Sequence, residues 1–170
     1  MRLILISAAL AFAAPAFADD MHDHGMGHDP SMGGMMDGMA AFGEPGDTEA
    51  VSRTIDITGR EYAFDPVAIT VKAGETVRFV FKNEGQLDHE FSVGDAAFNA
   101  AHREMMARMS EHHGMDDHGP MHGASGNIVT AKPGETKELV WHFTKAGAFE
   151  IACNLPGHAE LGMVGTITVE

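Results

Sequence analysis

Residues 71–83 read VKAGETVRFVFKN, and this stretch decides the fold. Its second half alternates apolar with polar residues, which places Val77, Phe79 and Phe81 on one face of a strand. The sequence KAGE at 72–75 has the composition of a tight turn. The stretch therefore predicts a half-buried β-strand that is entered through a turn.

Other stretches along the chain also have strand character and are bounded by Gly or Pro turns. They are RTIDITG (53–59), PVAITVKAG (66–74, overlapping the first stretch), HEFSVG (89–94), NIVTAKPG (127–134), TKELVWHF (136–143), GAFEIAC (147–153) and GMVGTITVE (162–170). About eight short strands in this arrangement predict an all-β fold, an antiparallel Greek-key sandwich or barrel.

Residues 1–18, MRLILISAALAFAAPAFA, have the parts of a secretory signal peptide. Arg2 supplies the positive end, residues 3–14 are apolar, and AFA at 16–18 fits the cleavage rule. An uncleaved anchor is the alternative, although so short an apolar stretch spans a bilayer poorly. We expect export to the periplasm and, because no other segment is apolar for 18 residues, no membrane span in the mature protein.

Two segments differ from the strand pattern and are rich in His and Met. Residues 19–50 hold eight acids, three His and six Met without any Lys or Arg, which predicts a disordered tail before a domain at 51–170. Residues 94–126 form an insertion with five His and five Met. Its first half, AAFNAAHREMMARMSEHH (96–113), lacks Gly and Pro and predicts a helix, whereas its second half predicts a loop.

Charge and cysteine content exclude several classes of function. The chain has 25 acidic against 11 basic residues and a net charge of −14, which argues against nucleic-acid binding. Its one cysteine, Cys153, excludes an intramolecular disulfide and any metal site that needs two thiolates. In an exported protein such a cysteine pairs between chains, stays a free thiol or binds a metal.

The loop CNLPGHAELGM at 153–163 brings three soft or borderline metal ligands close together in sequence: Cys153, His158 and Met163. His89, at the start of a strand in LDHEF (87–91), supplies a second imidazole. Two His and one Cys in a plane with a long axial Met form the mononuclear copper site of electron-transfer proteins. The alternative is a buried free Cys with a surface His and a core Met.

The sequences VKAGETVRFVFKN, DHEF and CNLPGHAELGM together resemble those of the cupredoxins, the family of plastocyanin and azurin. The resemblance covers about residues 53–170 and is nearest to the periplasmic cupredoxins of copper tolerance, which share the Met/His-rich insertion. It implies a type 1 copper site that cycles between Cu⁺ and Cu²⁺, with His89, Cys153, His158 and Met163 as ligands. The spacing from Cys153 to His158 resembles that of azurin, while the interval to Met163 is longer.

The His and Met residues outside this loop suggest further copper ligands. In the predicted helix, spacings of three and four place a possible second copper site on one face; its residues are His102, Met105, Met106, Met109 and His113. The alternative is that these Met residues pack the helix onto the sandwich. In the tail, the possible copper ligands are Met21, His22, His24, Met26 and His28; nonspecific zinc or nickel binding is the alternative there.

Three other polar residues are candidates for a place around the site. Asn83 or Asn154 could hydrogen-bond near the thiolate, although Asn83 also suits a turn. His142 lies opposite the apolar Leu139, Trp141 and Phe143 in its strand, which predicts an exposed histidine.

We therefore expect a copper-binding protein that supports copper tolerance by binding and redox cycling copper. A carrier of electrons between respiratory partners, or a copper chaperone without a redox role, is the alternative. The expected partners are copper ions and a redox protein such as a cytochrome, or another copper-handling protein. No nucleophile–base motif or phosphate-binding Gly loop is present, so we do not expect an enzyme.

Overall fold

The structure, a computed structural model, describes residues 42–112 and 126–170. The predicted signal peptide, most of the predicted tail and the loop half of the insertion lie outside these residues. The same holds for some of the proposed copper ligands, namely Met21, His22, His24, Met26, His28 and His113.

Within residues 42–112 and 126–170 the chain forms ten strands, one α-helix and a short 3-10 helix at Thr48–Ala50. In chain order the elements are β1 (Glu44–Pro45), β2 (Arg53–Arg60), β3 (Ala63–Asp65), β4 (Ala68–Val71), β5 (Thr76–Asn83), β6 (His89–Gly94), α1 (Ala96–His112), β7 (Ile128–Ala131), β8 (Thr136–His142), β9 (Gly147–Ala152) and β10 (Val164–Val169). The predicted strands are all present, and the two short strands β1 and β3 are additional.

The strands form two five-stranded sheets that pack into a sandwich. The first sheet has the order β1-β8-β5-β2-β3, and the second has the order β4-β10-β9-β6-β7. The prediction of an all-β sandwich is confirmed.

The expectation of purely antiparallel strands is wrong for two pairs. Strand β2 lies parallel to β5, with Ile55 opposite Phe79, and β4 lies parallel to β10, with Ile69 opposite Ile167. The cause is the path of the chain, which leaves the first sheet after β3, forms β4 in the second sheet and returns as β5. Apolar alternation reports which face of a strand is buried and carries no information on strand direction.

The core lies between the sheets and is rich in aromatic rings. Val77, Phe79 and Phe81 of β5 are all fully buried, as their alternation predicts. The ring of Phe91, from β6 in the other sheet, lies 5.4 Å from Phe79 and 5.5 Å from Phe81. Each fully buried Phe side chain contributes about 1.5–3 kcal/mol through burial, so this cluster stabilises the part of the sandwich from which the site projects.

Phe42 and strand β1 lie within the segment predicted as a tail, and both contact the sandwich. Phe42 is fully buried and stacks on Trp141 with ring centroids 5.5 Å apart. It also contacts the rings of Phe98 and Phe149, and β1 pairs with β8. Phe42 is the only Phe, Trp or Tyr in residues 19–50, and this segment has no apolar period, so local sequence gave no indication of this contact.

Helix α1 lies where a helix was predicted and packs against β6 and β9. All six residues of β6 are buried, because Phe91 and Val93 face the core while the opposite face meets the helix. There Ser92 hydrogen-bonds to Asn99, and Glu90 to His102. Of the helices in the described residues, none has the length and apolar character needed to cross a membrane.

Candidate metal centre

His89 opens strand β6 and is fully buried. Its strand position is fixed by pairing with Ala131 of β7. The turn that leads to it is held by Asn83, whose side-chain amide donates to the carbonyls of Leu87 (2.7 Å) and Ala131 (2.8 Å) and accepts from the backbone N–H of Gly85 (2.8 Å). Of the two alternatives for Asn83, a hydrogen bond near the thiolate or a role in a turn, the structure has the second. Asn83 affects the site by placing His89.

Cys153 directly follows strand β9 and begins the loop that supplies the other ligand candidates. The loop is closed at its base by the backbone N–H of Cys153, which donates to the carbonyl of Met163 across 3.0 Å. Inside it, the N–H of Met163 donates to the carbonyl of His158, and that of His158 to Leu155. These hydrogen bonds fix the backbone positions of Cys153, His158 and Met163.

The fold brings His89, Cys153 and His158 together. Their ligand atoms all lie within 4.8 Å of one another, and they are the only such group of three His, Cys, Asp or Glu in the part of the chain that is described. Nδ1 of His158 lies 3.2 Å from Nδ1 of His89 and 3.3 Å from Sγ of Cys153. Both imidazoles therefore present the same nitrogen to one point beside the thiol.

Two of the three separations between these atoms are close to those that a shared metal ion requires. Nitrogen and sulfur ligands lie roughly 2.0–2.3 Å from an ion such as zinc, so three of them in a plane are roughly 3.5–4 Å apart. The observed separations of 3.2 and 3.3 Å need to open by only a few tenths of an ångström. The donor set of two imidazoles and one thiolate is the one that copper takes in electron-transfer sites.

Burial keeps both histidines neutral and ready to act as ligands. Desolvation is the main cause that lowers the pKa of His89, and the Glu61 carboxylate opposes it. Desolvation also lowers the pKa of His158, helped by repulsion from His89 and opposed by Glu61. Because a neutral imidazole is the metal-binding form, the two rings need not lose a proton at neutral pH.

The thiol of Cys153 keeps its proton at neutral pH in the metal-free protein. Burial raises its pKa to about 12, although the backbone N–H of Glu90 donates to Sγ across 3.3 Å and favours the thiolate. A thiolate is the form that binds a metal, so binding requires the loss of this proton. A positive ion between the three ligand atoms supplies the attraction that this loss needs.

Met163 is fully buried in the same core cluster as Cys153. Its methyl group lies close to Gly59 at the end of β2, where an added Cβ would lie 3.3 Å from Cε of Met163 and 2.7 Å from the ring of Phe81. Gly59 thus leaves the space in which the thioether and the ring pack. The loop hydrogen bonds hold the backbone of Met163 against those of Cys153 and His158, and its buried side chain extends to Gly59.

Behind the thiol lies a buried polar cluster that sequence reasoning identified only in part. The Glu90 carboxylate is fully buried and accepts from His102 Nε2 (3.0 Å) and from the side-chain amide of Asn154 (2.9 Å). The oxygen of that amide accepts from Arg103 across 3.0 Å. Asn154, expected near the thiolate, therefore faces helix α1 with its side chain and links the helix to the residue after Cys153.

Glu61 and Tyr62, just after β2, contact the two imidazoles and were not identified from sequence. Oε1 of Glu61 lies 3.2 Å from Nε2 of His89, and the ring of Tyr62 packs edge-on against His158 with centroids 5.0 Å apart. Backbone N–H groups of Leu87 and Gln86 lower the pKa of Glu61 to about 2. No local pattern marks these residues, because the contact joins positions 28 apart in sequence.

The helical His and Met residues differ in their surroundings. His102 is buried against Glu90, and Met106 is 2% exposed, as the packing alternative requires. Met105 and Met109 are half-buried. His142 is half-buried rather than exposed, and its Nδ1 lies 2.9 Å from the hydroxyl of Thr76.

Comparison with known proteins agrees with this geometry. The family model of copper binding proteins of the plastocyanin/azurin family matches residues 51–170, and the chain belongs to that family. The predicted resemblance to cupredoxins is thus confirmed.

Two curated relatives are similar over most of the chain. The copper-resistant cuproprotein CopI of Rubrivivax gelatinosus is 41% identical over 170 residues, covering 99% of this chain and 96% of the relative. The protein of the same name from Pseudomonas aeruginosa is 45% identical over 150 residues, covering 76% and 83%. Among solved structures, auracyanin A, a "blue" copper protein of Chloroflexus aurantiacus, matches with a TM-score of 0.54 at 30% identity, covering 69% of this chain and 98% of that one.

Proposed function

We propose that this chain is a periplasmic copper protein in which His89, Cys153 and His158 would hold one ion and Met163 would be a further, weaker ligand. The convergence of two Nδ1 atoms and one Sγ atom within 4.8 Å carries the proposal. A bound copper ion supplies one-electron chemistry between Cu⁺ and Cu²⁺. The chain's residues hold one geometry for both oxidation states, because the loop and β6 are fixed by their own hydrogen bonds.

The biological role that we propose is copper tolerance. Two relatives, similar over most of their length, are named copper-resistant cuproproteins. The surplus of His and Met in residues 19–50 and 94–126 supports the same role, because thioethers bind Cu⁺ and imidazoles bind both oxidation states. We extend the proposal to the tail ligands at 21–28 as a site of copper capture. Of the second-site residues we keep Met105, Met109 and His113 in the proposal and leave out His102 and Met106, because these two are buried.

A dedicated electron carrier is the second candidate. His158 is half-buried, whereas His89 is fully buried, so the site is reached from the His158 side. Leu161, on the same loop, is 62% exposed and is available to a docked partner. Electron transfer to a redox protein needs an exposed docking surface of this kind. Copper detoxification with electron delivery needs one too, so this surface fits both roles.

A copper titration tests the site. We expect wild-type protein to bind copper at the site and to develop a thiolate-to-Cu²⁺ absorption band, and Cys153→Ala to lack the band. His142→Ala is the matched control, since it removes an imidazole outside the cluster and should keep the band. Absence of the band in wild-type protein with copper bound would contradict the proposal. A band that survives Cys153→Ala would contradict the ligand assignment.

Host copper sensitivity tests the role. Two variants should raise copper sensitivity while the absorption band persists. One is a deletion of residues 19–41, which retains the buried Phe42, and the other is the double substitution Met105→Leu with Met109→Leu. Unchanged tolerance together with a loss of respiratory electron flux on Cys153→Ala would instead establish the carrier. Full tolerance with Cys153→Ser would establish a chaperone without a redox role.

A further inference from the structure

The carboxylate of Glu61 joins His89 to the loop that precedes it. One oxygen, Oε1, accepts from the backbone N–H of Gln86 at 2.6 Å and of Leu87 at 2.9 Å, and lies 3.2 Å from Nε2 of His89. Two backbone N–H groups and one ring nitrogen therefore converge on a single oxygen. The loop holds the carboxylate in place, and the carboxylate in turn holds the imidazole.

The contact determines which nitrogen of His89 carries the proton. A neutral imidazole has one N–H, and a carboxylate can only accept. The hydrogen bond to Glu61 therefore places the proton on Nε2 and leaves the lone pair of Nδ1 directed at His158 and Cys153. Without this partner, the ring is free to take the other tautomer, in which Nδ1 is protonated and unable to bind a metal.

The surrounding chain leaves room for this carboxylate. A Cβ at Gly85 would lie 2.3 Å from Oε1 of Glu61, so a side chain at 85 would displace the carboxylate. Arg60, which precedes Glu61 in the chain, and Lys82 both pair with Glu84. The charge of Glu61 is therefore compensated by the backbone N–H groups and His89 rather than by either of these cations.

We propose that Glu61 is a positioning residue that fixes the tautomer of His89 and places a negative charge behind it, favouring Cu²⁺ over Cu⁺ at the site. The proposal rests on the proposed copper function. A carboxylate behind a ligating histidine makes the imidazole a stronger donor. Attraction to its charge is also greater for a doubly charged ion than for a singly charged one.

Glu61→Gln separates the charge from the hydrogen bonds. The amide oxygen of Gln can accept the same three N–H groups, so the geometry is kept and the charge is lost. We expect the absorption band to persist and the ratio of Cu²⁺ to Cu⁺ affinity to fall roughly tenfold, a rise in reduction potential of about 59 mV. Glu84→Gln, which removes a nearby carboxylate paired with Arg60 and Lys82, should change the potential much less.

Glu61→Ala removes both the negative charge and the hydrogen bonds of the carboxylate. Copper affinity should fall roughly 10- to 100-fold, as for other partners of metal-bound histidines. In the metal-free protein, nitrogen NMR should report the Nε2–H tautomer of His89 for wild type and Glu61→Gln, and a mixture for Glu61→Ala. Equal potentials for Glu61→Gln and Glu84→Gln would overturn the charge effect, and an unchanged tautomer in Glu61→Ala would overturn the positioning role.

The two proposals fail in different ways. If wild-type protein shows no thiolate-to-copper band, the proposed function is contradicted. The NMR measurement needs no copper, so it still supports or overturns the role of Glu61 in orienting His89. Folding of each variant is checked by whether the ring resonances of the Phe79, Phe81 and Phe91 core are retained.

Discussion

The backbone N–H of Glu90 donates to Sγ of Cys153 across 3.3 Å, and the carboxylate of the same residue accepts from the backbone N–H of Asn154. Strand β6 and the ligand loop are thus tied together on both sides of the thiol. The same carboxylate reaches His102 of helix α1. The insertion helix therefore supports the backbone of the site.

The first prediction concerns this buried contact. His102→Ala leaves the Glu90 carboxylate buried without one of its donors, which should lower the free energy of unfolding by about 1.5–3 kcal/mol. Urea unfolding of the metal-free protein measures this. Arg108→Ala is the control, because its ion pair with Glu104 is exposed on the same helix and should contribute less than about 0.5 kcal/mol. Equal losses for the two variants would show that the Glu90 contact does not stabilise the fold.

The second prediction concerns the reactivity of Cys153. With its pKa raised to about 12 by burial, the thiol of the metal-free protein should react with a disulfide reagent at pH 8 on the order of a thousandfold more slowly than an ordinary cysteine. The thiolate fraction rises with pH below the pKa, so the rate should increase about tenfold per pH unit. The same protein in urea is the control and should react at the normal rate. Rapid reaction of the folded protein would contradict a buried, protonated thiol.

The third prediction concerns the space around Met163. Gly59→Ala places a Cβ 2.7 Å from the ring of Phe81 and 3.3 Å from Cε of Met163, so both must move. We expect a loss of about 1–3 kcal/mol in stability and a change in the absorption spectrum of the copper-loaded protein. Gly134→Ala is the control: it has a φ of +79° and an open surrounding, so it should cost about 1–2 kcal/mol with an unchanged spectrum. An unchanged spectrum in Gly59→Ala would argue against Met163 as a ligand.

The fourth prediction concerns the start of the folded domain. Phe42→Ala removes a fully buried ring that stacks on Trp141, and should lower the free energy of unfolding by about 3–5 kcal/mol. Deletion of residues 19–41, whose composition cannot bury a core, should change it by less than about 0.5 kcal/mol. Thermal and urea unfolding distinguish the two. A large loss from the deletion would place part of the core upstream of residue 42.

Much of the fold could be read from local sequence, because burial on one face of a strand imposes a period of two. The alternation of Val77, Phe79 and Phe81 predicts a strand and its inner face correctly. The absence of Gly and Pro at 96–113 likewise predicts helix α1. The lone Cys153, with His158 and Met163 at short spacing and His89 at a strand start, was enough to propose a copper site.

The tertiary structure decided what covers each face and what each ligand touches. Strand β5 is parallel to β2 because the chain crosses to the other sheet and returns, a path that alternation does not encode. Phe42 enters the core from a polar segment, and Glu61 holds His89 across 28 positions of sequence. The sequence by itself determined which residues carry donor atoms that suit copper, since that depends on side-chain chemistry. Only the folded chain determined how they are held, since that depends on contacts between residues that local patterns do not connect.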